Sequence, residues 1–450
     1  QQTGGNLWTG CSACGTIYGY HTWQYRVYED VEGKQVWDDG ADFRHLYSHI
    51  NACNMILEET RAFEEMTEEE DVQNVNRIKG ECYFLRGSYY FLLANFYGKP
   101  YVASTAESDP AVPIKTSNYV EDKYYSRNSV AEVYKQIVTD LLDAEKFLKD
   151  VPKKSVWRAD INAVRLMLSR VYLYMCLYEE AEKYAALVTE NGPRLEDLNS
   201  FSGEEFLNTN LSELIFSTGA SSLPGNVTFY SRNSGMESGF VSGNDMRISN
   251  ELYEAYNPQN PIDLRLQYFV PDYDGSIRYR KLQGETFQTT DLSDVFLMRT
   301  AEAWLNLAEA AACADDEPTA KKALNALREK RIKREAFDES EVNSLTGESL
   351  VRFIREERRR ELCLEGHRWF DLRRYRVAEK YPQEVTVEHI YVNKAYNSST
   401  YEYETLWTRK FVLATDDPAW VMPLPKAEID KNTGMLDNPR NERRYEDVNN

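Results

Sequence analysis

Seven cysteines and five histidines are the side chains best suited to metal, redox or nucleophilic chemistry, and their spacing supports little of it. Cys11-Ser12-Ala13-Cys14, with His21 nearby, has the spacing of a zinc or redox pair. A structural zinc takes four ligands, however, and no second Cys-x-x-Cys exists. Two free thiols are expected there, or a local disulfide on an oxidising surface. Cys53, Cys82, Cys176, Cys313 and Cys363 fall in apolar, helical-looking surroundings and read as small buried hydrophobes. His45 and His49 stand four apart but lack the glutamate of a His-Glu-x-x-His site, so they and His367 read as scaffold. No Gly-x-Ser-x-Gly elbow occurs. Nothing singles out a carboxylate pair for glycosidase chemistry among 73 Asp and Glu. Asp272-Tyr273-Asp274-Gly275 begins like a calcium loop, but Gln283 stands where its twelfth-position glutamate belongs, and a turn is expected. No metal, cofactor or catalytic residue is expected.

The sharper candidates are non-covalent. Trp8, Tyr18, Tyr20, Trp23, Tyr25 and Trp37 crowd the first 37 residues among Gly, Thr and Cys, with no helical stripe to bury them. A sugar ring offers an apolar C–H face and a hydroxylated edge. Aromatic rings cover the first, and Asn, Asp, Arg and Gln bind the second. A second candidate loop, residues 219–245, holds Asn226, Phe229, Tyr230, Arg232, Asn233, Asn244 and Asp245 amid Gly and Ser. Planar guanidinium and amide groups there suit vicinal hydroxyls or a carboxylate. The competing reading makes these rings scaffold padding and this loop an ordinary surface loop.

The elements that must position these residues are mostly helical. Apolar residues recur with a period of 3.6 over 43–63, 78–97, 130–148, 163–188, 295–313, 319–333 and 350–376. Ser169, Tyr172, Tyr178, Ala181 and Pro193 fall at the small, aromatic, alanine and proline positions of a 34-residue tetratricopeptide unit. Such units cannot bury their faces alone and should stack. Residues 1–42, 195–290 and 380–450 differ in texture, being rich in Gly, Pro, Asn, Ser and Tyr, with short strands expected at 214–217, 277–281 and 385–388. The expected architecture is mainly α. One tetratricopeptide-like helical scaffold (43–190 and 291–378) carries a large irregular face with short β-strands. The run Arg355 to Glu361 places Glu356 and Glu357 four and three residues before Arg360, which reads as a salt-bridged helix flank rather than a site.

Composition sets the outer limits. A net charge of −20 argues against nucleic acid and anionic lipid surfaces. The 42% hydrophobic and 28% charged content argues against disorder. No stretch reaches the ~18–20 apolar residues of a membrane span. Residues 1–6 lack the basic and apolar regions of a signal peptide.

Several runs then line up in a familiar order. They are Asn51 to Leu57, Gly80 to Gly98, Ala163 to Tyr178, Leu297 to Glu302, and Ile354 to Arg374 with Glu365-Gly366-His367-Arg368-Trp369-Phe370-Asp371. Met422-Pro423-Leu424-Pro425, Glu428-Ile429 and Asn438-Pro439 follow. Their joint order and spacing resemble the SusD/RagB family of outer-membrane nutrient-binding lipoproteins of the Bacteroidetes. The resemblance implies a non-catalytic, cell-surface protein that captures glycan and delivers it to a SusC-like TonB-dependent transporter. A peptide-binding, RagB-like role with the same partner is the alternative. It further implies that the repeats form scaffold or face the transporter, and that variable irregular segments hold the ligand. The only membrane link would be an N-terminal lipid anchor, which has no counterpart in residues 1–450. Two readings without that resemblance are an intracellular tetratricopeptide scaffold for a protein partner and a glycoside hydrolase. The residues expected to touch ligand are Trp8, Tyr18, Tyr20, Trp23, Tyr25, Trp37, Tyr230, Arg232, Asn233, Asn244 and Asp245.

Overall fold

The computed structural model describes residues 7–9, 17–203, 205–219, 246–270, 272, 273, 276, 277, 281, 292, 296–400 and 402–448. Its scaffold is a stack of antiparallel helices at Ala41–Glu59, Glu69–Tyr97, Val130–Leu148, Ile161–Tyr174, Tyr178–Asn191, Thr300–Cys313, Glu317–Glu329 and Gly347–Glu361. Local chemistry sets their starts. Ser129 caps the third helix by accepting from the Glu132 amide at 3.1 Å, while Glu132 accepts from the Ser129 amide at 2.8 Å. Asp160 caps the fourth through the Ala163 amide at 2.9 Å. Small residues let the helices close. A Cβ at Gly80 would overlap the Leu148 side chain across the second and third helices. The repeat positions read from sequence pack as that reading requires. Ala181 is fully buried, Tyr172 stacks on Tyr184 at 5.7 Å, and Ser169 Oγ accepts from Asn306 at 2.8 Å.

The strands lie in small sheets on this scaffold. β1 (Leu7–Thr9) pairs with β3 (Met246–Ile248), and β2 (Leu214–Ser217) with β6 (Leu297–Arg299). β4 (Asp272–Tyr273) pairs with β5 (Ser276–Ile277), so the calcium-like segment is a hairpin. β7 (Val387–Asn397), β8 (Glu402–Leu413) and β9 (Tyr445–Asp447) form a three-stranded antiparallel sheet. β8 is absent from the sequence expectation, which placed only a short strand at 385–388. The segment 295–313 starts as strand β6 rather than helix. The single helix expected over 350–376 is two, ending at Glu361 and resuming at Arg368–Arg376. Leu364 and Gly366, at φ +64° and +78°, take the left-handed conformation that breaks it.

The charged run of that helix is buried. Arg299 donates to Glu213 (2.5 Å), Glu361 (2.5 Å) and Glu365 (2.8 Å). Arg331 reaches Glu213 (2.8 Å) and Glu361 (3.0 Å). Arg265 reaches Asp263 (2.7 Å), Glu357 (2.7 Å) and Glu361 (3.0 Å), while Lys281 pairs with Glu365. The structural reading of the run stands, but its place is the interior rather than a flank. Glu357 does meet Arg360 (2.5 Å), and Glu356 pairs with Arg359 at 3.9 Å. Beside this lattice, Arg170 pairs with Glu302, and Arg355 and Arg374 share Glu309.

Removing one partner from a buried pair leaves an uncompensated charge, at about 3–5 kcal/mol. Glu361→Gln should therefore lower the unfolding free energy by about that much in a denaturant titration; a loss under ~1 kcal/mol would show that the lattice is slack. Burial pushes the Glu361 and Glu309 carboxyls up, but the surrounding guanidiniums outweigh it. Arg331, Arg299 and Arg265 hold Glu361 well below the usual range, and Arg374 and Arg355 bring Glu309 down to about 2. A folded pKa below the unfolded ~4.3 gives stability that is present above that value and lost as pH falls through the folded one. Stability should therefore drop between about pH 4.5 and pH 2. An unfolding free energy flat across that window would contradict it.

Candidate functional site

The N-terminal segment pairs, through β1, with β3, the strand that follows the second candidate loop in the chain. Leu7 pairs with Ile248, Trp8 with Arg247 and Thr9 with Met246. Trp8 is thus held against the strand that directly follows Asn244 and Asp245 in the chain. Asn244, Asp245, Tyr230, Arg232 and Asn233 themselves lie outside the described residues, as do Asn226, Phe229, Cys11 and Cys14. β1 also runs beside β7, which brings the three-stranded sheet to the same region.

The aromatic cluster divides in two. Tyr18 meets Tyr391 edge-on at 4.9 Å and Phe411 at 6.1 Å, and burial pushes its phenol up. Tyr20 is half-buried and shifted upward for the same reason. Trp23 is 5% exposed. Its ring stacks on His389 at 4.5 Å, and the Arg443 guanidinium lies 5.8 Å from it. This corrects the expectation for Trp23. A ring closed in by the sheet has no face left for a ligand, so it anchors the segment instead. Tyr25 and Trp37, 51% and 48% exposed, are the rings that reach the surface. They flank a short hairpin in which Glu29 bridges Gln35 and the Val36 amide donates to Tyr28 O at 2.9 Å.

Sequence reasoning missed a second aromatic group. On β8, the Arg409 guanidinium lies 4.2 Å from the Trp407 ring centre and 3.8 Å from that of Tyr445 on β9, with Asp447 3.2 Å from Arg409 Nε. Tyr445 is 47% exposed and edges a polar groove of about 930 Å³ with Asn441, Glu442, Arg444 and Lys410. The period-2 placement of Trp407, Arg409, Phe411 and Leu413 was the available signal.

Carboxylates that burial pushes up, Glu81 and Asp140, sit on scaffold helices against Arg158 and Arg86. Among the described residues, no group of three His, Cys, Asp or Glu is placed to hold a metal ion. None of their helices is long and apolar enough to cross a membrane.

The docked segment carries a titratable pair. His21 stacks on His389 at 4.1 Å, and His389 Nδ1 lies 2.7 Å from the His21 carbonyl oxygen, so that nitrogen carries the proton. Burial pushes His389 down to about 4 and, with His389 beside it, holds His21 well below the ordinary range. Unfolded imidazoles titrate near ~6.5, so docking is fully stable above that pH and weakens as pH falls toward 4. Hydrogen exchange at residues 17–24, corrected for intrinsic rates, should quicken over that window relative to the Ile161–Tyr174 helix. Unchanged protection would refute the pair's role.

Comparison with known proteins adds the following. The model of a family described as "SusD family" matches residues 152–440, and one described as "Starch-binding associating with outer membrane" matches residues 1–173. A putative sugar binding protein from Bacteroides vulgatus is 25% identical, with a TM-score of 0.72, over 97% of this chain and 91% of that one. A SusD superfamily protein from Bacteroides thetaiotaomicron is 23% identical, with a TM-score of 0.66, over 88% and 85%. A laminarin binding SusD-like protein is 19% identical, with a TM-score of 0.60, over 96% and 91%. No curated protein matches the chain.

Proposed function

This chain belongs to the SusD family, and from that premise we propose that it is a non-catalytic, outer-membrane-associated protein that captures glycan at the cell surface and hands it to a SusC-like TonB-dependent transporter. The observation that carries the reading is the β1–β3 ladder, which joins the aromatic N-terminal segment to the strand after the 219–245 loop. Tyr25, Trp37 and Tyr445 are exposed rings of the same N-terminal segment and of the three-stranded sheet. Trp8, Tyr230, Arg232, Asn233, Asn244 and Asp245 are proposed as the inner contacts, Tyr25 and Trp37 as the rim. The match to a starch-binding family associating with the outer membrane supports this reading, as does the similarity to the putative sugar binding protein from Bacteroides vulgatus. Stacking and hydroxyl hydrogen bonds need no titrating group, which accords with the absence of a catalytic signature in the sequence.

A second reading, an extended peptide as ligand, has one observation of its own. β9 pairs with β8 only at Arg409–Phe411, leaving the Glu402–Trp407 stretch unpaired on that side among the described residues. A peptide strand adds to such an edge through main-chain hydrogen bonds.

Affinity electrophoresis against neutral and acidic polysaccharides separates these readings. Retardation by a neutral glycan is expected, weakened about tenfold, or about 1.4 kcal/mol, in Trp37→Ala and more in Tyr230→Ala. Retardation untouched by either variant would keep glycan capture and refute the site. Failure of every glycan, with binding of a peptide lost when proline is placed in β8, would establish the second reading.

A further inference from the structure

A pocket of about 350 Å³ opens between the Ala41–Glu59 helix, the loop at 113–125 and the short Lys426–Lys431 helix, and it shares no lining residue with the candidate face. That volume falls at the lower end of the ~300–1,000 Å³ common to small-molecule sites. Phe43, Ile50 and Met435 give it a buried apolar lining, and the half-buried rings of Tyr47 and Tyr125 complete it. Hydrogen bonds hold its walls in place. The Tyr47 hydroxyl donates to Pro113 O at 2.6 Å. The Tyr90 hydroxyl accepts from the Lys115 amide at 2.7 Å, and Asn54 donates to the carbonyls of Lys115 and Ser117 at 3.0 and 3.1 Å. Asn432 Oδ1 accepts from the Tyr125 amide at 2.9 Å, which ties the loop to the C-terminal wall. A pocket built this way binds without first paying to order its loop.

The polar groups that line it divide by what they still lack. Its donors are engaged: Arg44 with Asp38 at 3.1 Å, Lys115 Nζ with Tyr119 O at 2.6 Å, and the Asn432 amide with Glu428 O at 2.9 Å. Its acceptors are open. The Glu428 carboxylate, the Asn51 amide oxygen and the Ser48 hydroxyl accept no hydrogen bond among the described residues. The occupant must therefore donate hydrogen bonds and offer the rings an apolar face. It must also be neutral, since a carboxylate would meet Glu428 and an ammonium would meet Arg44 and Lys115. A sugar ring satisfies all three conditions.

We propose that this pocket is a second glycan subsite, which takes a neutral sugar ring with its hydroxyls donating to Glu428, Asn51 and Ser48 and its C–H face against Tyr47 or Tyr125. The inference rests on the glycan reading above and adds to it a site on the helical scaffold. Asp38, which holds Arg44 at the edge of the pocket, directly follows Trp37 in the chain. A polysaccharide that reaches from Trp37 into the pocket makes its second contact intramolecularly, so the two weak sites reinforce each other.

The test is affinity electrophoresis of the full chain in gels containing starch, laminarin or mannan, all neutral. Ser48→Leu fills the pocket from an exposed position without touching the core, Glu428→Ala removes the open carboxylate, and Trp37→Ala serves as the comparison. The polysaccharide that retards the wild type should bind Ser48→Leu about fivefold to tenfold more weakly and Glu428→Ala about threefold more weakly, with melting temperatures unchanged. Retardation unaltered in both variants but weakened in Trp37→Ala overturns the subsite and leaves glycan capture standing. Failure of every polysaccharide to retard the wild type overturns the glycan reading and the subsite with it.

Discussion

Glu361 accepts from three guanidiniums that arrive from three different parts of the chain, and the fold is organised around that convergence. Arg265 comes from a short helix in the irregular region, Arg299 from the end of β6, and Arg331 from just beyond the Glu317–Glu329 helix. Glu213, at the start of β2, closes the circuit by accepting from both Arg299 and Arg331. A charge lattice of this kind adds little net stability over an apolar core of equal volume, because desolvation offsets most of the attraction. It is selective in another sense. A guanidinium fork meets a carboxylate in few geometries, so a one-residue slip in β2, β6 or the Gly347–Glu361 helix would strand a buried charge. The lattice therefore fixes how the irregular region sits on the helices.

A different use of arginine holds the candidate face. Arg440 donates to Gln24 O (2.5 Å) and Ala419 O (3.0 Å), and Arg443 to Val412 O (3.0 Å) and Asp417 (2.6 Å). Arg373 donates to the carbonyls of Asn95 and Gly98, tying the Arg368–Arg376 helix to the end of the Glu69–Tyr97 helix. Apart from the Arg443–Asp417 pair, these forks satisfy main-chain oxygens rather than carboxylates, and burial pushes Arg440 and Arg373 down to about 10. At the other end of the N-terminal segment, the Lys426 amide donates to Asp39 at 3.0 Å. The chain is therefore pinned near Gln24 and near Asp39, and the turn between them must project. Tyr25 and Trp37 are exposed because their neighbours on either side are anchored.

The helices were legible in the sequence because their information is local. Val130–Leu148 emerges with its observed bounds, since Ser129 and Glu132 announce its start and apolar spacing carries it through. The break between Glu361 and Arg368 was not legible. Charged and apolar residues continue with helical spacing across it, and the left-handed Leu364 is buried in a core cluster shared with Phe206 and Leu292, far from it in sequence. Trp23 shows the same limit at the site. Among Gly, Thr and Tyr it looks like an exposed platform, yet what buries it is His389, 366 residues later. Family order made the fold readable. Which ring faces water depends on contacts that no local pattern encodes.

Charge and ring chemistry at the face favour a neutral ligand. The composition is acidic, and interior cations are matched by interior carboxylates such as Glu361, Glu309 and Asp371, so the net negative charge falls on the exposed surface. Cations near the rim are already engaged. Arg26 pairs with Glu29 at 3.0 Å, Arg44 with Asp38, and Arg409 with Asp447 at 3.2 Å. An acidic polymer would meet repulsion once within a Debye length of about 8–10 Å and would have to displace these carboxylates on arrival. A neutral sugar ring meets neither obstacle. At the proposed site its C–H face would lie against Trp37 or Tyr25 with no ion pair broken, and its hydroxyls would exchange water for amide and guanidinium donors at small net cost. Affinity at such a site comes from the area of aromatic face presented, which the pinned turn between Gln24 and Asp39 holds in place.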